Sequence, residues 1–255
     1  MGVVNITPDS FSDGGRFFGV QEAITHARRL ADEGADILDL GGESTRPGAA
    51  PVSEDEELRR VLPVLEKIAD LCVSVDTRRP RVMREALKAG ATMINDVDAL
   101  TASGALDAVA ASDCAVCLMH KKGEPATMQR DPHYDDVVLE VKTFLEERVN
   151  AATAAGIARE RIVVDPGFGF GKTAQHNLTL LKRLGELSAL PILAGLSRKS
   201  TLGRITGRPV EERLAGSLAM ALLALQAGAT ILRVHDVKET KDVIAVWLSF
   251  VEACK

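Results

Sequence analysis

Short apolar runs recur along the chain, and most of them stop at a polar side chain: VVN at Asn5, ILDL at Asp39, VSVD at Asp76, TMIND at Asn95 and Asp96, VCLMH at His120, IVVD at Asp165 and ILRVH at His235. A further run, PILAGL, leads into SRKS and so brings Lys199 and Ser200 just beyond its end. Runs without polar alternation are what a strand buried on both faces shows. Between them lie stretches with helical spacing, predicted over 20–33, 53–68, 80–88, 102–111, 137–154, 175–185, 211–227 and 242–253. Ala23, Ala27, Leu30 and Ala31 make one face of the first, and Gly34 stops it. Ser53 with Glu56 three residues on is a capping box ahead of Leu58, Val61, Leu62 and Leu65. Eight strand–helix units with right-handed crossovers predict a parallel (β/α)8 barrel of the TIM type, spanning 1–255 as one domain.

Length and charge narrow the function. A chain of 255 residues with no linker or low-complexity tract fits a single barrel. Its formal charge of -5 offers no general attraction to nucleic acid or to an anionic membrane, so any anionic ligand must be held by a local basic cluster. No apolar run approaches the ~20 residues of a membrane span, and the first residues lack the pattern of a signal peptide, so a cytoplasmic protein is expected. Cys114 and Cys117 form a nominal C-x-x-C inside a strand, where residues three apart face opposite sides; they read as core residues.

The strand tips carry the chemistry. Asp76, Asn95 and Asp165 end three different strands, and a barrel brings such tips to one mouth. Any one of them alone reads best as a cap or a structural hydrogen bond. Together they suit a heterocycle whose guanidine-like edge presents paired N–H donors, as a pterin or a guanine does. Arg46, Lys199, Arg233 and His235 form a second, basic set suited to phosphate, and Asn5 offers a neutral oxygen to Mg2+. A diphosphate-bearing ligand is therefore expected. GFGFGKT does not make a phosphate loop, because three residues rather than four separate Gly167 from Gly171-Lys172; its glycines instead permit close backbone approach to a flat ligand. The long loop TPDSFSDGGRFFG, with Phe11, Phe17 and Phe18, reads as a lid.

NITPDSFSDGG (5–15) and GADILDLGGESTRP (34–47) resemble the two signatures of the dihydropteroate synthase family, and SVDT, IND, DPGFGF, SRKS and RVH follow in that family's order. The resemblance covers essentially the whole chain. It implies a barrel enzyme, usually a homodimer, that joins 6-hydroxymethyl-7,8-dihydropterin diphosphate to 4-aminobenzoate with Mg2+. Carried over by position, Asp76, Asn95, Met119, Asp165 and Lys199 would hold the pterin. Thr45, Arg46, Arg233 and His235 would hold the diphosphate, and Asn5 the metal. Phe11, Thr45, Pro47, Phe170, Lys199 and Ser200 would form the aminobenzoate site, which sulfonamides also occupy in this family. Lys199, Arg233, His235, Asp76 and Asp165 would be the catalytic set.

Two departures stand out. Family members carry residues ahead of the first strand that help close the barrel bottom, whereas this chain starts almost inside it, an expected cost to stability more than to the site. MHKKG also places Lys121 and Lys122 where a more neutral segment is usual, with an effect expected on local dynamics only. A methyltetrahydrofolate-binding methyltransferase would share the barrel and the carboxylates but has no use for the STRP loop, Lys199 or an Arg233/His235 pair. A catalytically silent pterin-binding homologue would have lost loop or cation residues, and none is missing.

Overall fold

The apolar runs become strands that pair in chain order. In a computed structural model, which describes residues 1–6, 15–43, 52–123 and 127–253 with backbone alone for 15–18, six of them form one all-parallel sheet. These are β1 (Gly2–Asn5), β2 (Leu38–Gly41), β3 (Val73–Asp76), β4 (Met93–Asp96), β5 (Ala115–Met119) and β6 (Ile162–Asp165). β7 (Leu193–Ala194) and β8 (Ile231–Leu232) pair with each other. Parallel bridges from Val164 to Ile192 and from Gly2 to Val234 join the two sheets, so the ring of eight closes as the sequence predicts.

Alternate strand residues face opposite sides of a sheet, and the two sides of this ring are filled differently. Leu38, Leu40, Val73, Val75, Ile94, Val116, Leu118 and Val164 pack into the large core under the helices. Met1, Met93, Cys117, Val163 and Leu193 form a separate small cluster that plugs the lumen. Cys114 belongs to the outer core and Cys117 to the inner one, which agrees with their reading as packing residues on opposite faces. Beyond the plug the inward positions turn polar. Register carries one row from Asn5 through Gly41 and Asp76 to Asn95, and a neighbouring step pairs Met119 with Asp165.

Among the described residues nine α-helices surround the ring: α1 (Gly15–Asp32), α2 (Glu54–Leu65), α3 (Pro80–Lys88), α4 (Ala105–Ala110), α5 (Val137–Ala154), α6 (Ala174–Lys182), α7 (Ser200–Thr206), α8 (Leu214–Gln226) and α9 (Val237–Glu252). Their ends correct the sequence reading in several places. α1 starts at Gly15 rather than 20, so Phe17 and Phe18, read as part of a lid loop, belong to helical backbone. The apolar stripe that reveals this helix begins only at Ala23, and a Gly-Gly pair ahead of it reads as a breaker. α9 likewise starts at Val237, before its periodic part. The predicted 211–227 helix is divided: a 3-10 turn at Val210–Glu212 precedes α8. α7 has no counterpart in the sequence reading, since seven residues capped by Gly207 at φ 70° are too few to display a stripe. Ser53 Oγ accepts from the Glu56 amide at 3.2 Å, which is the serine half of the predicted capping box.

Candidate active site

The polar tips meet at the C-terminal mouth of the ring, where Arg233 ties them together. Just past β8, its Nε donates to Asp39 Oδ2 at 2.6 Å and its Nη2 to Asp76 Oδ2 at 3.0 Å. Asn95 Nδ2 donates to the same Asp39 oxygen at 3.1 Å. One buried carboxylate on β2 thus orients both a guanidinium from the end of the chain and an amide from β4. Burial works against the Arg233 charge, but Asp39 and Asp76 beside it hold its pKa above the ordinary value. For Asp76, burial and the nearby Asp39 charge outweigh Arg233, so its carboxyl is held well above the usual range. Asp39 Oδ1 and Asn95 Oδ1 are buried acceptors with no partner among the described residues. Buried acceptors left over beside the strand tips are what a ligand with N–H donors would satisfy.

Asp165 ends β6 and accepts from the Gly167 amide through Oδ1 at 2.7 Å. Burial raises its pKa, against the Lys199 ammonium and that N–H. Lys199 caps α7 from the other side; its Nζ donates to the Phe168 carbonyl and lies 4.8 Å from the centre of the Phe170 ring. Burial lowers its pKa to about 8 despite Asp165. Gly195 lies between the two cations: a Cβ there would stand in ordinary contact, 3.8 Å from Lys199 Nζ and 3.9 Å from Arg233 Cβ. Met119 is buried beside Asp165 in register, whereas Ser200 is exposed at the first position of α7. Ser197 Oγ lies 3.0 Å from His235 Nδ1 and accepts from the His235 amide at 3.3 Å, which sets the ring next to the Arg233 corner.

Asn5 ends β1, half-buried, its Oδ1 3.8 Å from where a Gly41 Cβ would be. Among the described residues no three His, Cys, Asp or Glu side chains form a cation cage. One neutral amide oxygen would suit a Mg2+ that takes its remaining ligands from a substrate phosphate and water. Phe11, Thr45, Arg46 and Pro47 lie outside the described residues.

Two tip residues face elsewhere. Asp96 accepts from the Asp98 and Leu100 amides, both at 2.8 Å, and holds a turn in which Ala99 and Leu100 have φ of 51° and 58°. His120 turns under the glycine loop and contacts Lys172. Lys121 pairs with Asp98 at 2.6 Å and Lys122 with Glu140 at 2.8 Å, so both lysines of MHKKG are engaged in ion pairs. The sequence reading left Asp39, Lys172 and Ser197 unassigned. Asp39 did carry a signal, an acid inside an apolar run, and Lys172 ends the glycine run.

A family model described as pterin binding enzyme matches residues 1–235. The dihydropteroate synthase of Escherichia coli K12 is 51% identical over 251 residues, covering 96% of this chain and 89% of that one. The chain belongs to the dihydropteroate synthase family. Dihydropteroate synthase of Neisseria meningitidis serogroup B is 52% identical over 258 residues, with 97% and 90% covered. Among solved structures, a Xanthomonas albilineans dihydropteroate synthase with 4-aminobenzoic acid superposes with a TM-score of 0.92 at 55% identity, covering 98% of this chain and 91% of that chain. A Yersinia pestis dihydropteroate synthase in a sulfonamide drug complex gives 0.93 at 46%, with 98% and 93% covered. The family is one of transferases. No helix among the described residues is long and apolar enough to cross a membrane.

Proposed function

We propose that the protein condenses 6-hydroxymethyl-7,8-dihydropterin diphosphate with 4-aminobenzoate to give 7,8-dihydropteroate and diphosphate. The observation that carries this reading is the division of the mouth into two corners that share Asp76. On one side Asp76, Asn95 and Asp165 present acceptors to a pterin edge, with Met119 lining the pocket; on the other Arg233, oriented by Asp39, faces the diphosphate with His235.

Breaking the bond from the pterin methylene to the diphosphate leaves positive charge on the ring system and negative charge on the departing group. Arg233 is fixed in advance by two carboxylates and needs no rearrangement to meet that anion. Asp76 and Asp165 are buried and, in their ionised forms, favour its developing cation. The aromatic amine is already a neutral nucleophile at pH 7, so the site requires no strong base. Lys199 and Phe170 place one wall of the aminobenzoate site, with Ser200 at the head of α7; the proposal extends that site to Phe11, Thr45 and Pro47, and the diphosphate site to Thr45 and Arg46. Asn5 would hold Mg2+, which when bound neutralises diphosphate charge.

We further propose a homodimer formed through the outer faces of α8 and α9, which pack side by side. Leu223, Val246, Leu248 and Phe250 are 48%, 69%, 53% and 60% exposed, a concentration of apolar surface that a second copy with the same patch would cover.

The deciding experiment is diphosphate release from the pterin substrate and Mg2+, with and without 4-aminobenzoate. Release that depends on the amine and yields dihydropteroate supports the reading; pterin binding with no amine-dependent release overturns it. Asp165→Ala should abolish pterin binding in calorimetry, and a variant that binds normally would show the pocket to be misassigned.

A further inference from the structure

Lys172 has no part in the chemistry above, yet it is 2% exposed and its ammonium is walled in by neutral acceptors. Nζ donates to the Gly167 carbonyl at 3.0 Å and the Phe170 carbonyl at 3.1 Å, and lies 2.9 Å from His120 Nδ1 and 3.4 Å from the His120 carbonyl. Among the described residues no carboxylate lies within ion-pair distance of it. A lysine buried without a counter-charge costs stability, and an apolar residue of similar length would fold better there. Burial holds its pKa well below the ordinary value, as expected for such a site.

Its partners show what that cost secures. The loop from Gly167 to Gly171 lies flat on the backbone just past β5: a Cβ at Gly167 would fall 1.8 Å from the His120 carbonyl oxygen, and one at Gly171 2.1 Å from that of Lys122. Side chains take every carbonyl of this loop in turn. Lys172 takes those of Gly167 and Phe170, Gln129 that of Gly169, and Tyr134 that of Gly171 at 2.9 Å. The remaining one, of Phe168, receives Lys199 Nζ, and the Phe170 ring faces the same ammonium.

We propose that Lys172 is a positioning residue: by pinning the two carbonyls on either side of the 168–169 segment against the β5 tip, it sets where Phe168 and Phe170 hold Lys199 on the aminobenzoate side of the site. The inference rests on the synthase reading. Among the described residues the Arg233 corner shares no hydrogen bond with this loop, whose link to the pterin side is the Gly167 amide on Asp165 rather than a contact of Lys172 itself, so the larger effect falls on the amine.

Steady-state diphosphate release by the wild type, Lys172→Met, Lys199→Met and the double variant tests it. Lys172→Met should raise KM for 4-aminobenzoate about 10-fold and leave KM for the pterin diphosphate within about 2-fold; in the Lys199→Met background it should add nothing further. A merely structural lysine would shift both constants alike, or multiply the Lys199→Met effect, and either result overturns the proposal. If Lys172→Met does not melt cooperatively, Tyr134→Phe frees the other end of the same loop. It should raise the amine KM alone by about 3-fold, and an unchanged amine KM would count against the role. A wild type that shows no amine-dependent release overturns the synthase reading and this inference with it. A wild type that turns over beside an unselective Lys172→Met overturns the positioning role only.

Discussion

Arg233 is shared by two buried carboxylates, and that sharing decides what single substitutions do at this site. Asp39 orients Arg233 and Asn95 together, so Asp39→Asn removes the charge that holds the guanidinium while keeping the shape. Its kcat/KM is expected to fall about 100-fold, comparable to losing one preorganised donor, with the far-ultraviolet spectrum unchanged. A variant within about 3-fold of wild type would mean that Asp76 orients Arg233 unaided. Lys199 is expected to set the alkaline limb of the pH dependence. Burial brings its pKa down to about 8, so the ammonium is present below that pH and lost as pH rises through it, sooner than on an exposed lysine. The pH profile of kcat/KM should therefore decline above about pH 8. Lys199→Arg, which keeps its charge, should carry that decline to higher pH; an unmoved limb would assign it to another group.

At the scale of elements, the site depends on joints between loops and helices more than on helix length. α6 opens with a reciprocal capping box: Thr173 Oγ1 accepts from the His176 amide at 3.1 Å, and His176 Nδ1 accepts from the Thr173 amide at 3.2 Å. One turn later Asn177 reaches two neighbours. Its Oδ1 accepts from the Gly169 amide at 2.9 Å and its Nδ2 donates to Thr201 Oγ1 at 3.1 Å, so α6 links the glycine loop to α7. Thr173→Ala should cost about 1 kcal/mol in urea unfolding, a Tm lower by about 2–4 °C. An unchanged melt would show that Asn177 and the packing of Leu180 and Leu181 hold the helix without its cap.

At the scale of the whole molecule, α8 and α9 expose Leu223, Val246, Leu248 and Phe250, while Leu139 stands exposed apart from them on α5. Leu248→Glu combined with Phe250→Asp on the outer face of α9 should shift sedimentation from a two-chain to a one-chain species, since a like-charged pair would meet its own copy across a two-fold axis. Persistence of the dimer would move the interface elsewhere. The ring's order and its active end were legible without coordinates. β-branched runs ending in Asp76, Asn95 and Asp165 follow from strands buried on both faces and from the rule that such strands carry function at their C-terminal tips. α7 was not legible, because seven residues are too few to display a helical period.

The sequence by itself determined which residues stand at strand tips, since a period of two and a run length are local properties of the chain. It determined through its two long motifs which family those tips belong to. Only the tertiary structure decided which tips touch. Asp39 and Arg233 are 194 positions apart and meet because β8 bridges back to β1, which sets the register across the closing seam. Alternation along β4 turns Asn95 inward to Asp39 and leaves Asp96 to hold a turn. Lys172 lies under its loop rather than on a phosphate, because the glycines at 167 and 171 have no Cβ to keep the backbone off the tip of β5.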